Sequence, residues 1–387
     1  MTKASAIFKK IFEEPLNRIT EWKRNTNGKV IGCLPMYFPE EMVHAAGALP
    51  ITLFGSDELI TMADKHLMTN ACDPVRSTFD SLLKGKYNFL DGLAAIHTCD
   101  QVRFFLEVWE LDHPFPFFHQ TWRPYKIDRS TRPFLVSELK RLKAALGSFT
   151  NHEITPEDIC KSIRVYNESR SLMRELNEMR NLRPGIISAS DMVKIITSSM
   201  LIPIEEFNAL AKEFLSEIKN ESEERDGRIR IVIAGHPCAK PHPSLLDLME
   251  DLGLVVVGDD FFTGSRHFAT DIILNGDPIE SLADYYMNAI PCTTYHYPEN
   301  WIERGKDFSP YGEFVSEMVN RSRAEAAVLL RVMYCDPFDL EFVLLKKKLE
   351  EKNIPCLSLL TEHGIGPLES IRTRIEAFVE ILQRSRK

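Results

Sequence analysis

Residues 228–260 carry, in order, "RIRIVIAG", "PSLLDLMEDLG" and "LVVVGDD". The first and last segments are apolar runs rich in β-branched residues, and the middle one has apolar residues at helical spacing. Apolar strands joined by amphipathic helices are typical of a parallel sheet that is covered on both faces. The stretch therefore predicts an α/β fold.

The same alternation extends in both directions from this stretch. Toward the C-terminus, "EAAVLLRVMYCDP" and "IPCLSLL" predict strands, and "DLEFVLLKKKLEEKN" predicts a helix. In the first half, "LPITLF" and "GLAAIHT" predict buried strands, whereas "HPFPFFHQTW" is expected to be irregular because of its two prolines. The two halves could share one architecture.

A helical region separates the halves. Residues 155–219 have the spacing of long helices, the first of which is opened by Thr155 as N-cap and Pro156 at the first helical position. The chain of 387 residues also exceeds what one hydrophobic core usually supports. We therefore expect an α/β domain at residues 1–154, a helical connector at 155–227 and a second α/β domain at 228–387.

Composition excludes several functional classes. No apolar run approaches the roughly 20 residues that would cross a bilayer, and a net charge of -9 without a basic patch disfavours nucleic acid. The N-terminal segment lacks the apolar region of an export signal. Gly235 lacks the further glycines of a dinucleotide fingerprint and the Gly-Lys-Ser/Thr of a phosphate loop. We expect a cytoplasmic protein without a membrane, nucleic-acid or nucleotide site.

Three cysteines precede an aspartate, in "ACDPVRS" at Cys72, "HTCDQVR" at Cys99 and "MYCDPFD" at Cys335. Cys99 and Cys335 follow predicted strands and precede predicted helices, and such junctions line the ligand crevice of a parallel sheet. Asp336 and Pro337 resemble an N-cap and a first helical proline, and the segment after Cys72 has the same arrangement. The free amides of a helix N-terminus are expected to lower the pKa of each thiol, which favours metal ligation. We call Cys72, Cys99 and Cys335 the cysteine triad.

The spacing of the triad matters for the kind of site. The cysteines are 27 residues (99 minus 72) and 236 residues (335 minus 99) apart, unlike the compact pairs of zinc ribbons and ferredoxins. If the fold brings them together, three thiolates are one short of the usual four ligands, which predicts a 4Fe-4S cluster with one open iron. The alternative is that each cysteine is a small buried apolar residue near a strand end.

The remaining cysteines are weaker candidates. Cys160, Cys292 and Cys356 lie in apolar contexts and are expected in the core. Cys33 and Cys238 lie in predicted loops and are candidates for a fourth ligand or for a pocket wall. With eight cysteines and no export signal, reduced thiols, metal ligands or catalytic groups are favoured over disulfides.

Other polar residues are less specific. His97 precedes Cys99 by two residues, so strand alternation would place both side chains on one face. It is a candidate proton donor or a hydrogen-bonded core histidine. Asp259 and Asp260, after the run "LVVV", could bind a polar ligand or form a solvated loop and helix cap. His296, between two tyrosines, could line an apolar site or simply pack within its loop.

Several motifs together resemble a known family. They are "PEEMVHAAGALP", "NACDPVRS", "HTCDQVR", "DDFFTGSR", "MYCDPFDLE" and "IRTRIEAFVE", in this order. From about residue 30 to the C-terminus the chain resembles the benzoyl-CoA reductase and 2-hydroxyacyl-CoA dehydratase family. It looks most like the smaller of the cluster-binding subunits in the ATP-dependent benzoyl-CoA reductase.

The resemblance implies a protein with two Rossmann-like domains and one 4Fe-4S cluster held by Cys72, Cys99 and Cys335. It also implies a homologous cluster-binding partner subunit and an ATP-hydrolysing activator that receives electrons from ferredoxin, so that ATP is bound by a partner and not here. The implied reaction reduces the ring of benzoyl-CoA to a dienoyl-CoA in anaerobic aromatic degradation. His97 would then be a possible proton donor, and Asp100 a group that tunes the cluster.

Two alternatives stay open at this point. The first is a subunit of a 2-hydroxyacyl-CoA dehydratase. Dehydratases of the family often carry a serine where this chain has Met36, and this difference favours an apolar substrate. The second alternative is a noncatalytic subunit that relays electrons or supports a catalytic partner.

Overall fold

The computed structural model describes residues 3–124, 130–219, 227–236, 238, 240–287, 309–361 and 368–386. Within these ranges the chain forms two parallel sheets of four strands flanked by helices, which confirms the predicted α/β class. Strands β1 to β8 are Val30–Cys33, Leu49–Thr52, Gly92–Ile96, Phe117–Thr121, Ile229–Gly235, Leu254–Asp259, Ala326–Val332 and Cys356–Thr361.

Helices α1 to α15 surround the sheets, and a short 3-10 turn lies at Ala63–Lys65. The helices are Lys3–Glu13, Pro15–Thr26, Glu40–Ala45, Asp73–Leu83, Asp100–Asp112, Arg132–Thr150, Pro156–Leu182, Ala189–Ser199, Ile204–Ile218, Pro243–Asp251, Ser265–Phe268, Pro278–Met287, Pro310–Arg321, Asp336–Glu351 and Leu368–Ser385. Among the described residues, no helix is both long enough and apolar enough to span a bilayer.

The two sheets have the same strand order. The first is β2-β1-β3-β4 and the second is β6-β5-β7-β8, and every pair of neighbours is parallel. In each sheet the first strand lies beside both the second and the third, so the chain turns from one side of the sheet to the other between them. A ligand crevice is expected at the carboxyl ends of the strands at this switch point.

Two strands differ from the sequence-based expectation. β1 contains Cys33, which was expected in a loop, and its four residues are all buried. β4 crosses the segment that was expected to be irregular, but its prolines, Pro114 and Pro116, precede the strand, which is an edge strand with alternating burial. Both strands have only four or five residues, so periodicity gives little signal.

Each sheet is covered on both faces by apolar residues. The first sheet packs on one side against α1, α4, α5 and α7 to α9, and on the other against α3, α6 and α12. The second sheet packs against α10 and α15 on one side and against α13 and α14 on the other. Burial on both faces explains why most strands are apolar without alternation.

The helical region between the sheets agrees with its sequence signals. Thr155 caps α7, its hydroxyl accepts a bond from the amide of Asp158, and the Asp158 carboxylate accepts one from the amide of Thr155. Helix α12 lies later in the chain than β6 but packs into the core of the first sheet. The boundaries proposed at 1–154, 155–227 and 228–387 stay predictions.

Candidate metal centre

The three cysteines of the triad occupy equivalent positions in the structure. Cys72, Cys99 and Cys335 are the N-cap residues of α4, α5 and α14, and none of the three side chains makes a capping hydrogen bond. The expectation that Asp336 caps its helix is wrong by one residue, because Asp336 is the first helical residue. Serine, threonine, aspartate and asparagine are the residues that stabilise this position. Helix stability therefore does not account for three cysteines here.

The fold brings the triad together from both sheets. The pKa of Cys72 is raised to about 12, first by burial and then by the negative charge of Cys99. The pKa of Cys335 is also raised, first by burial and then by the charge of Cys72, with a smaller contribution from Cys99. Charges act on one another in this way only over short distances, so residues 236 positions (335 minus 99) apart in sequence are neighbours in space.

The expected lowering of the thiol pKa values does not occur. First-turn amides, at Val75 beside Cys72 and at Phe338 beside Cys335, do lower the pKa of the thiol that they face. Removal from water outweighs them because it disfavours the charged form of a buried group. The pKa of Cys99 is raised by burial as well. In the absence of a metal, burial therefore favours the protonated form of all three thiols.

The donor set fits a cluster better than a single ion. Within the described part of the chain, no group of three or more His, Cys, Asp or Glu side chains is arranged to hold a metal ion. A single ion needs its ligands around one point, whereas each cysteine of a cubane cluster binds a different iron, so the sulfurs stand farther apart. Cys72 and Cys335 are buried, Cys99 is half-buried, and their charges act on one another, which fits the second arrangement. Their role as ligands stays a prediction.

A cavity of about 170 Å³ adjoins the triad. We call it the cysteine cavity. Cys72 and Cys99 line it. Cys335 does not, but Leu330 and Val332 line it from β7, the strand that precedes Cys335. Residues at the carboxyl ends of both sheets form much of the wall: Leu34, Leu53, His236, Phe261, Val332 and Thr361. For comparison, a cavity of about 150 Å³ holds a benzene molecule. There is room beside the thiols for a bound group.

Sequence reasoning missed the polar residues of this wall. His236, Lys240 and His242 line the cysteine cavity from the loop after β5, and Asp57 lies opposite, 3.6 Å from His242 Nε2. Burial lowers the pKa of His236 to about 4, so this imidazole is neutral. The available signal was a strand ending in glycine and followed by His, Lys and His within seven residues.

His97 and Asp100 have little contact with the cavity. His97 is buried, its Nε2 lies 2.7 Å from Gln120 Oε1 and its ring packs against Trp122. It does not line the cysteine cavity, and burial lowers its pKa. The side chain of Asp100 is 86% exposed. The contacts of His97 are those of a hydrogen-bonded core residue, and its role as a proton donor stays a prediction.

Asp259 and Asp260 are neither in a solvated loop nor at an open ligand site. The carboxylate of Asp259 accepts a bond from buried Arg180 at 2.9 Å. Asp260 is fully buried, lies 2.8 Å from Arg266 Nε and accepts a 2.6 Å bond from the Tyr311 hydroxyl. Both carboxylates therefore serve internal ion pairs that fix the loop after β6.

A second cavity of about 70 Å³ lies beside the start of α3, and we call it the Glu40 cavity. Glu40, Glu41 and Arg170 line it, and Arg170 forms a buried ion pair with Glu41. The pKa of Glu40 is raised to about 7, first by burial and then by the charge of Glu41. Two adjacent acids at a helix start are the sequence signal for this site, which sequence reasoning did not use.

The other cysteines separate into different environments. Cys238 lines the cysteine cavity, and its thiol lies 3.2 Å from the Met36 sulfur. Met36 lines the Glu40 cavity and not the cysteine cavity. The identity of this residue therefore gives no information about a substrate bound beside the triad. Cys33 is fully buried and lines neither cavity. Cys160 and Cys356, which were expected in the core, are only half-buried. Cys292 and His296 lie outside the described residues.

Comparisons with known proteins show which chains this one is similar to. The family model described as 2-hydroxyglutaryl-CoA dehydratase, D-component, matches residues 35–382. The chain is 26% identical to a benzoyl-CoA reductase subunit of Thauera aromatica, over 94% of this chain and 93% of that protein. It is 27% identical to the (R)-phenyllactyl-CoA dehydratase beta subunit of Clostridium sporogenes, over 97% of both. It is 26% identical to the beta subunit of (R)-2-hydroxyglutaryl-CoA dehydratase of Acidaminococcus fermentans, over 97% of this chain and 98% of that protein. Reductase and dehydratase subunits are thus equally similar to it.

Proposed function

Because the chain belongs to the 2-hydroxyglutaryl-CoA dehydratase D-component family, we propose that it is an iron-sulfur subunit of an acyl-CoA reductase or dehydratase complex. The specific activity that we propose is ATP-dependent reduction of benzoyl-CoA to a cyclohexadienoyl-CoA with electrons from ferredoxin. The convergence of Cys72, Cys99 and Cys335 at three helix N-termini carries the proposal.

The cysteine triad would hold a 4Fe-4S cluster through three thiolates. When bound, such a cluster supplies single electrons at low potential. The residues of this chain provide the surroundings that the chemistry needs. The helix N-termini of α4, α5 and α14 would stabilise the thiolate charges. The apolar part of the wall, which includes Val75, Phe105 and Phe261, would limit the access of water to the site.

The partners that we propose are a homologous cluster-binding subunit, an ATP-hydrolysing activator and ferredoxin. The names of the relatives describe subunits of reductases and dehydratases, which supports a multisubunit assembly. ATP would be bound by the activator, in agreement with the missing phosphate-loop motif. An aromatic acyl-CoA would be the substrate of the complex.

A 2-hydroxyacyl-CoA dehydratase is the second candidate. Three hydroxyl residues on one side of the cysteine cavity, Ser56, Ser77 and Thr78, favour it because they could surround a polar substituent. Ser77 and Thr78 already donate bonds to backbone carbonyl groups at 2.7 Å, which reduces their availability. Product analysis separates the two candidates: the anaerobic complex, given activator, ATP and reduced ferredoxin, forms a dienoyl-CoA from benzoyl-CoA or eliminates water from a hydroxyacyl-CoA.

The cluster itself is tested by iron and sulfide analysis of protein purified without oxygen, together with its electron paramagnetic resonance spectrum. We expect about four irons per chain in the wild type and a large loss in Cys335→Ala. Cys160→Ala is the matched control because this half-buried cysteine lies on α7, outside the cavity wall. A folded Cys335→Ala protein with wild-type iron content and full turnover would refute the assignment and indicate a supporting subunit.

A further inference from the structure

The cysteine cavity has an unequal distribution of charged groups. Among the described residues that line it, Lys240 is the only lysine or arginine, and Asp57 and Asp73 are the two carboxylates. Asp73 is the first residue of α4 and faces Arg76, and Asp57 faces His242. Lys240 is therefore the one residue of the described wall that carries a full positive charge.

The surroundings of this ammonium are mainly apolar. Lys240 Nζ lies 4.6 Å from the ring centre of Phe12 and 5.9 Å from that of Phe54, a residue of the cavity wall. Such contacts favour a cation, but by less than a carboxylate at hydrogen-bonding distance. Burial lowers the pKa of Lys240, and the charge of Asp57 only partly opposes this effect. Among the described residues, the charge of this cation is therefore incompletely balanced.

A cluster in this cavity would have the opposite imbalance. Three thiolates together with the inorganic core carry net negative charge, and a charge removed from water is costly unless an opposite charge accompanies it. The helix N-termini at the triad provide only partial charges of about +0.5 each. Lys240 lies on the same wall, so its positive charge and the negative charge of the cluster would partly neutralise each other.

We propose that Lys240 is the counter-charge of the cluster bound by the cysteine triad and raises its reduction potential. The inference rests on the proposed function. Reduction adds one negative charge to the cluster, so a nearby cation stabilises the reduced form more than the oxidised form. Lys240 thus acts on the cluster through its charge and is not a catalytic residue. By raising the reduction potential, it makes the cluster easier for the activator to reduce.

The test is a redox titration of the anaerobically purified complex, followed by electron paramagnetic resonance. Lys240→Gln removes the charge and Lys240→Arg keeps it. We expect Lys240→Gln to shift the one-electron equilibrium at least tenfold toward the oxidised cluster, which is a potential lower by about 59 mV. Lys240→Arg should stay within about threefold of the wild type. Lys352→Gln, at the exposed far end of α14, is the control for an equal change in net charge.

The possible outcomes separate the two proposals. Iron and sulfide contents are measured for every variant before titration. A wild-type protein without a cluster would overturn the proposed function, and this inference with it. A normal cluster whose potential is the same in Lys240→Gln, Lys352→Gln and the wild type would overturn the inference alone. Loss of the cluster in Lys240→Gln, with retention in Lys240→Arg, would support a requirement for positive charge at this position.

Discussion

Replacing Glu40 by glutamine should stabilise the protein at alkaline pH and have a much smaller effect at acidic pH. The side chain of Glu40 is 7% exposed, and Thr52 donates a 2.9 Å hydrogen bond to its Oε1. Its pKa is raised from 4.5 to about 7 by burial and by the charge of Glu41, although Arg170 and Thr52 act in the opposite direction. Glutamine has the shape of the protonated acid and keeps the acceptor for Thr52.

The sign and size follow from proton linkage. Below pH 4.5 both the folded and the unfolded chain are protonated at Glu40, so the residue has no effect on stability. As the pH rises from 4.5 to about 7 the unfolded chain releases a proton that the folded chain keeps, and the folded state loses stability. The interval of 7 minus 4.5, at about 1.36 kcal/mol per pKa unit, corresponds to about 3 kcal/mol above pH 7. Between about pH 5 and pH 8 the advantage of glutamine should grow by about 2.5 kcal/mol.

Thermal unfolding at a series of pH values measures this effect. For 387 residues, about 2.5 kcal/mol corresponds to a difference of about 3 °C in melting temperature. The control is Glu376→Gln on the exposed face of α15, whose melting temperature relative to the wild type should not change with pH. If the melting-temperature difference between Glu40→Gln and the wild type is equal at acidic and alkaline pH, Glu40 is ionised in the folded protein and the reasoning fails.

Two further substitutions test how the sheets and the helical layer are held together. Gly235→Ala should destabilise the protein by about 3 kcal/mol, because a Cβ at this position would lie 1.9 Å from the Leu330 carbonyl oxygen. The control is Gly227→Ala, where the added Cβ has open space. Equal urea midpoints for the two variants would contradict the predicted clash. Arg170→Leu should lower the free energy of unfolding by about 4 kcal/mol, because it leaves the Glu41 carboxylate buried without its partner. In the same assay, the double variant with Glu41→Leu should regain at least half of this loss. Purely additive effects of the two substitutions on the free energy of unfolding would disprove this expectation.

Sequence reasoning identifies the features that depend on local signals. Each cysteine of the triad lies at the start of a helix, and the residues that mark this position are neighbours in the chain. Thr155 is recognisable as an N-cap for the same reason, because its partner Asp158 is three residues away. The α/β class is also predictable, since strands buried on both faces are continuously apolar.

The features that sequence reasoning misses depend on distant residues. Glu41 and Arg170 are 129 positions apart, so nothing near either one indicates a buried ion pair. Lys240 lies over the ring of Phe12, which belongs to the first helix of the chain. Low thiol pKa values are expected because the helix N-terminus is visible in sequence, whereas burial is set by the whole fold and outweighs it.

The cysteine triad combines residues from both halves of the chain, and this has a consequence for biosynthesis. Cys72 and Cys99 lie between β2 and β4 of the first sheet, whereas Cys335 follows β7 of the second sheet, 236 residues (335 minus 99) after Cys99. A nascent chain therefore exposes two thiols long before the third leaves the ribosome. If the triad binds a metal group through all three cysteines, binding cannot be completed before the second sheet has been translated. An occupied site would then show that both halves of the molecule had folded.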